Sequence, residues 1–184
     1  MLEFLHDLDV TLFLLFNAQL THPLLDSVIP RITHFSFWVV PGLLAAVLFI
    51  FREKKKALVA LLLVALAAGL SDLISSHIIK QIFARPRPCH PDMFIEGGRF
   101  LIGMYRSYSF PSSHSMSMFT IAAVLGGFYP KRRIYFFAFA SMIAYSRVYC
   151  GVHFPSDIFC GAVWGILLGW GIFKIKVEIL KLKK

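Results

Sequence analysis

Long apolar stretches alternate with short clusters of charge along this 184-residue chain. One runs from about Val28 to Phe51 and stops at Arg52-Glu53-Lys54-Lys55-Lys56. A second covers about Ala57 to Ile79 and ends in Lys80. A third starts near Ser112 and closes at Tyr129-Pro130, ahead of Lys131-Arg132-Arg133. The fourth spans about Ile134 to Tyr149, and the fifth about Pro155 to Phe173, before a basic tail from Lys174 to Lys184. Crossing a bilayer core as an α-helix takes roughly 17–25 apolar residues, and a helix satisfies its own backbone polar groups while doing so. The pattern therefore predicts an all-α, polytopic membrane helical bundle with five transmembrane helices. Residues 80–112, rich in Pro, Gly and Arg, form a loop rather than a span. Leu8 to Leu20 is apolar but short, with Glu3, Asp7 and Asp9 around its start. An amphipathic helix in the outer interface fits it best, which makes residues 1–25 an interfacial segment; a tilted extra span would raise the total to six.

Composition narrows the class further. The chain is 58% hydrophobic and 16% charged, too apolar for a soluble domain and too evenly spread for one anchor on a soluble body. Residues 1–184 form a single membrane domain. The formal net charge of +9 would suggest nucleic acid in a soluble protein. Here twelve of the nineteen Lys and Arg residues fall in the turns 52–56 and 131–133 and in the 174–184 tail. Five spans put those three segments on one side, and the positive-inside rule makes that side cytoplasmic. The basic excess is thus a topology signal, and no nucleic-acid partner is expected; neither is a secretory signal nor an obligatory protein partner. The loop 80–112 and the turn 147–155 face the periplasm or outside of a plasma (inner) membrane, with Lys80, Arg85, Arg87, Arg99, Arg106 and Arg147 among them. Cys89, Cys150 and Cys160 lack metal-ligand spacing. They read as separately packed thiols, with a Cys89–Cys150 disulfide as the alternative.

Three clusters on that outer face carry chemistry: Lys80 with Arg87-Pro88, Pro111-Ser112-Ser113-His114, and Ser146-Arg147 with His153 and Asp157. Lys80, Arg87 and Arg147 converging at one depth would form an anion site, and guanidinium forks suit phosphate oxygens. Ser112 sits where an N-cap belongs, so the first-turn N–H groups of the following helix would add donors. Asp157 lies four residues after His153, within reach of its imidazole if helical geometry begins there. A carboxylate on one ring nitrogen fixes the tautomer and supports the charge that develops as the other nitrogen attacks phosphorus. His114 could protonate the leaving alkoxide and then activate water. No carboxylate cluster for a metal is apparent, and cationic side chains make one unnecessary; metals and cofactors are expected to be none.

These clusters resemble the three-part signature of the type 2 phosphatidic acid phosphatase (PAP2) family, which shares its fold with vanadium haloperoxidases. The signature is Lys, six residues, Arg-Pro; then Pro-Ser-Gly-His; then Ser-Arg, five residues, His, three residues, Asp. This chain matches throughout, except that Ser113 stands where the family usually has glycine. The resemblance implies His153 as a nucleophile that becomes phosphohistidine, Asp157 as its orienter and His114 as acid then base. Lys80, Arg87, Ser112, Ser113 and Arg147 would hold the phosphate, and Tyr105 and Arg106 in the loop would screen head groups. The substrate it implies is a lipid phosphomonoester or diphosphate: undecaprenyl diphosphate, the phosphate of lipid A, phosphatidylglycerol phosphate or phosphatidate. A phosphotransferase using the same phosphohistidine is the alternative.

The remaining polar residues take plainer readings. Arg85, Arg99 and Arg106 serve as interfacial anchors or anionic-lipid contacts. His6, His22, His34, His77 and His90 are structural. Asp72, inside the second span beside Ser71 and Ser75-Ser76, is expected to hydrogen-bond across helices below the phosphate site.

Overall fold

A computed structural model of the chain describes residues 2–91, 93 and 95–181. All regular structure among them is helical. α1 (Leu2–Leu14) continues through a π-helical turn (Leu15–Gln19). α2 (Pro23–Ile32) follows, with His22 Nδ1 accepting from the Leu24 N–H as its N-cap and Pro23 opening the first turn. α3 is Phe35–Glu53, and α4 is Lys55–Asp72. A π-helical segment (Leu73–Ile79) joins α4 to the single turn α5 (Lys80–Phe83) without a break in the rod. α6 (Ser113–Phe128), α7 (Arg133–Tyr149) and α8 (Pro155–Lys181) complete the bundle.

Among the described residues, three helices are long and apolar enough to cross a membrane: Phe35–Glu53, Lys55–Phe83 and Pro155–Ile175. The pair Glu3–Gln19 and Pro23–Ile32, bent by 112°, would make a fourth if it counts as one span. α6 and α7 have 16 and 17 residues; at 1.5 Å per residue they cover about 24–26 Å, slightly less than a bilayer core. The run expected from Val28 to Phe51 is not one helix. It divides at Thr33-His34, where α2 ends and α3 begins, and Trp38 Nε1 donates to the Ile32 carbonyl at 2.7 Å to close the elbow. The outer loop also starts later than expected, because the helix continues through Phe83. Ala84 then takes a left-handed conformation (φ 44°), and Pro86 disfavours helix at Arg85.

α6 is the central helix, packed by α4, α7 and α8. Its approach to α8 is close because Gly161, Gly165 and Gly169 recur every four residues along α8, the small-residue spacing that lets membrane helices touch backbone to backbone. A Cβ on Gly161 would sit 2.8 Å from the Ser112 carbonyl oxygen; one on Gly165 or Gly169 would meet the Met116 or Thr120 carbonyl. Gly165→Val is therefore expected to cost about 2–3 kcal/mol by overpacking. The check is a thermal unfolding scan in detergent beside Gly171→Val, a position with nothing within 4 Å. The first variant should melt lower and the second should not.

Phe13 of α1, Val148 of α7 and Phe154 form a buried cluster, and Phe13 and Phe154 stack edge to face at 5.7 Å. Asn17 lies beside it, fully buried. Its Nδ2 donates to the carbonyls of Arg99 and Tyr149, both at 2.8 Å, and its Oδ1 accepts from the Arg99 N–H at 2.6 Å. Arg99 ion-pairs with Asp26, which also accepts from the Tyr149 hydroxyl. Arg99, expected as an interfacial anchor, instead ties its loop to the π-helical turn after α1, to α2 and to α7.

Candidate active site

α7 delivers Arg147 in its last turn, and the chain then turns through residues 150–154 before α8 starts at Pro155. Gly151 makes this turn possible: its φ is +83°, and a Cβ there would collide with the Arg99 carbonyl oxygen. The turn presents His153 almost wholly buried, 1% exposed. Its Nδ1 lies 3.3 Å from Asp157 Oδ2, which also accepts from the Phe154 N–H at 2.8 Å.

Arg87 approaches the opposite edge of the ring. Its Nη1 sits 2.9 Å from His153 Nε2 and 2.9 Å from the Val152 carbonyl, while its Nε bonds the Ser107 carbonyl at 3.0 Å. A guanidinium has only donors. Nε2 must therefore offer its lone pair, and the ring proton is assigned to Nδ1, facing Asp157. Burial, with Arg87, Arg147 and Lys80 nearby, holds the imidazole pKa well below its ordinary 6.5. The result is a neutral imidazole whose Nε2 lone pair is directed away from the carboxylate and accepts from Arg87.

Asp157 is itself fully buried, and its second oxygen, Oδ1, accepts from Arg85 Nη1 at 2.9 Å. Arg85 also bonds Ser156 Oγ at 2.7 Å and ion-pairs with Asp9 Oδ2 at 2.7 Å, while its guanidinium stacks 4.1 Å from the Phe154 ring centroid. Asp9 Oδ1 in turn accepts from the Ser156 N–H at 2.9 Å. Arg85 is thus no interfacial anchor. It joins the N-terminal helix to the carboxylate that holds the histidine.

Arg147 is held from the α2–α3 elbow: its Nη1 donates to Thr33 Oγ1 at 2.9 Å, and its buried Nε has no partner among the described residues. Ser112 caps α6, accepting from the Ser115 N–H, and its own N–H donates to the Asp157 carbonyl at 3.1 Å.

A pocket of about 350 Å³ brings the expected groups together: Lys80, Arg87, Arg147, His114, His153 and Ser113 all line it. Tyr105 lines it too, with the Arg87 guanidinium 5.6 Å from its ring centroid. Ser112 and Asp157 are buried behind its wall. Arg106 is exposed and lies outside the lining. The pocket also includes Thr33, His34 and Asp72. For Asp72 this corrects the expectation of a place below the site. A second, largely apolar pocket of about 450 Å³, walled by Ile32, Trp38, Met118, Ile121, Phe139 and Ile143, opens beside the first and shares Thr33, Phe35, Asp72, Ser113 and His114 with it. Cys89, Cys150 and Cys160 are free thiols. Among the described residues no group of three or more His, Cys, Asp or Glu is placed to hold a metal ion.

Three cations, two histidines and a buried carboxylate thus meet at one end of the helical bundle. The model of the PAP2 superfamily matches residues 56–180, and the chain belongs to that family. It is 33% identical over 181 residues to a lipid A 4'-phosphatase of Porphyromonas gingivalis, covering 95% of this chain and 75% of the relative. Among solved structures it resembles Aquifex aeolicus LpxE, with 31% identity, a TM-score of 0.65, and 91% and 95% of the two chains covered. It also resembles the PAP2-type phosphatidylglycerolphosphate phosphatase of Bacillus subtilis, with 25% identity, a TM-score of 0.66, and 95% and 87% covered.

Proposed function

We propose that the chain hydrolyses a lipid phosphate by covalent catalysis on histidine. The observation that carries this reading is the paired geometry of one ring: Asp157 on Nδ1, and on the opposite edge an Nε2 lone pair that accepts from Arg87, a contact that an incoming phosphoryl group would take over. His153 Nε2 attacks phosphorus, the P–O bond to the lipid breaks, and His114 gives its proton to the leaving oxygen. Water then attacks the phosphohistidine, His114 takes its proton, the N–P bond breaks and inorganic phosphate leaves. Asp157 stabilises the imidazolium character that develops on His153. Lys80, Arg87, Arg147 and the first-turn N–H groups behind Ser112 hold the phosphoryl oxygens. The unpartnered Arg147 Nε supports a ligand that accepts hydrogen bonds at this place.

The lipid's hydrocarbon chains would lie in the apolar pocket, which meets the phosphate pocket at His114. In this reading α3, α4–α5, α6, α7 and α8 are five crossings of a bacterial inner membrane. The cationic pocket faces outward and the basic C-terminus lies in the cytoplasm, in keeping with the charge asymmetry.

Detergent-purified protein is expected to release phosphate from at least one member of a panel of lipid phosphates, at a rate unchanged by excess chelator. No release from any lipid by folded protein would overturn hydrolysis. Label moved from the donor to a second lipid would identify transfer instead.

A further inference from the structure

Asp72 is the carboxylate that the mechanism leaves without a task. It lies eight residues before Lys80 on the same helical rod, deeper in the bundle. Its side chain is exposed, on a helix apolar enough to span the membrane. A charge at such depth is costly unless it faces a polar cavity or a ligand, and Asp72 lines both the phosphate pocket and the apolar one.

Its neighbours are arranged around it. Ser76 Oγ donates to Asp72 Oδ1 at 3.0 Å and lies 3.2 Å from Ser113 Oγ. A hydroxyl has one proton. With the Ser76 proton on Asp72, the Ser113 proton goes to Ser76. Both serines direct their protons into this chain of bonds, so the wall they make with Asp72 offers acceptors to the pocket. Ser113, where the family signature has glycine, is part of that wall.

We infer that Asp72, Ser76 and Ser113 form a subsite that accepts hydrogen bonds from hydroxyl or amide N–H groups on the lipid carrier, and that selects a phosphomonoester of such a carrier over a lipid diphosphate. The inference rests on the reading of His114 as the group that protonates the leaving oxygen. His114 lines both pockets, so atoms just beyond that oxygen lie at their junction, where Asp72 also stands. A carrier with donors there satisfies the carboxylate. A diphosphate puts its second phosphate against it, and like charges repel. The cations at the outer end and the carboxylate at the inner end therefore fix which way round the substrate sits.

The test measures kcat/KM for three lipids: an N-acylated amino-sugar phosphomonoester, phosphatidate, whose ester-linked glycerol carries no donor, and a prenyl diphosphate. Wild type should prefer the amino-sugar lipid. Asp72→Leu, a residue suited to the bilayer, should lower the amino-sugar to phosphatidate ratio about tenfold, the scale of a lost hydrogen bond to a charged group. Asp72→Asn keeps an acceptor but loses the charge, and should raise the diphosphate relative to the amino-sugar lipid by a similar factor. If every lipid changes by one common factor in both variants, Asp72 serves only as counter-ion to Lys80 or as a support for the fold, and the subsite is overturned. Unchanged ratios overturn it as well. Wild type inactive on all three lipids would instead sink the phosphatase reading beneath it.

Discussion

His153→Ala is expected to lower lipid phosphate turnover by at least about 10⁴-fold, the scale seen when a covalent catalyst loses its nucleophile, while leaving the helical bundle folded. The ring is nearly fully buried, yet its two polar contacts go to groups that have other partners. Asp157 keeps Arg85 and the Phe154 N–H, and Arg87 keeps the Ser107 and Val152 carbonyls. Removing the imidazole therefore leaves neither charge stranded. Circular dichroism and elution volume in detergent should match wild type, and phosphate release should be lost on every lipid. A folded variant that retains more than about a tenth of the activity would show that another group attacks phosphorus.

Arg85→Ala carries the second large effect, on the order of 100-fold in kcat, through Asp157 rather than through the substrate. Asp157 is wholly buried, and Arg85 is the cation on its Oδ1. Without it the carboxylate must protonate or turn, and the hydrogen bond that keeps the His153 proton on Nδ1 weakens with it. Arg85 lies outside the lining of the phosphate pocket, so KM should move far less than kcat. Asp9→Ala should act in the same direction but more mildly, roughly tenfold, because Arg85 retains Ser156 and Asp157 as partners. Arg85→Lys should restore part of the loss, since a point charge replaces the ion pair but not the fork that bridges Asp9 and Asp157. Equal losses in kcat and in thermal stability for all three variants, with no rescue by lysine, would reduce the bridge to a packing role.

That Lys80, Arg87, His114, Arg147 and His153 would share one pocket was legible in the sequence because their types and spacing suit one anion site, and because local rules place them. Ser112 precedes an apolar helical run after a proline and caps it. His153 and Asp157 stand four apart at a helix entry, and they meet. The elements without a local signal were not legible. Between Ile32 and Phe35 the break is marked only by the polar pair Thr33-His34, a signal too short to outweigh the apolar run on either side, while the prolines at 30 and 41 sit inside helices; the elbow is closed by Trp38 from the following helix. Asp9 and Arg85 are 76 residues apart, and they meet where α1 packs against the start of α8 and Arg85 reaches Ser156 and Asp157. Thr33, which orients Arg147, lies 114 residues from its partner. The depth of Asp72 was readable, but not that the pocket extends down to it. The four-residue glycine spacing of α8 was visible in the chain and carried a packing meaning that hydropathy alone does not show.

The central claim is a phosphoryl group on His153. Wild type mixed with lipid labelled in its phosphate and quenched in alkali should carry label that survives base and is released by acid, as a phosphoramidate is. Peptide mapping should place it on the segment containing His153, and His153→Ala should carry none. Label on a serine or a carboxylate, or labelling that persists in His153→Ala, would contradict the account.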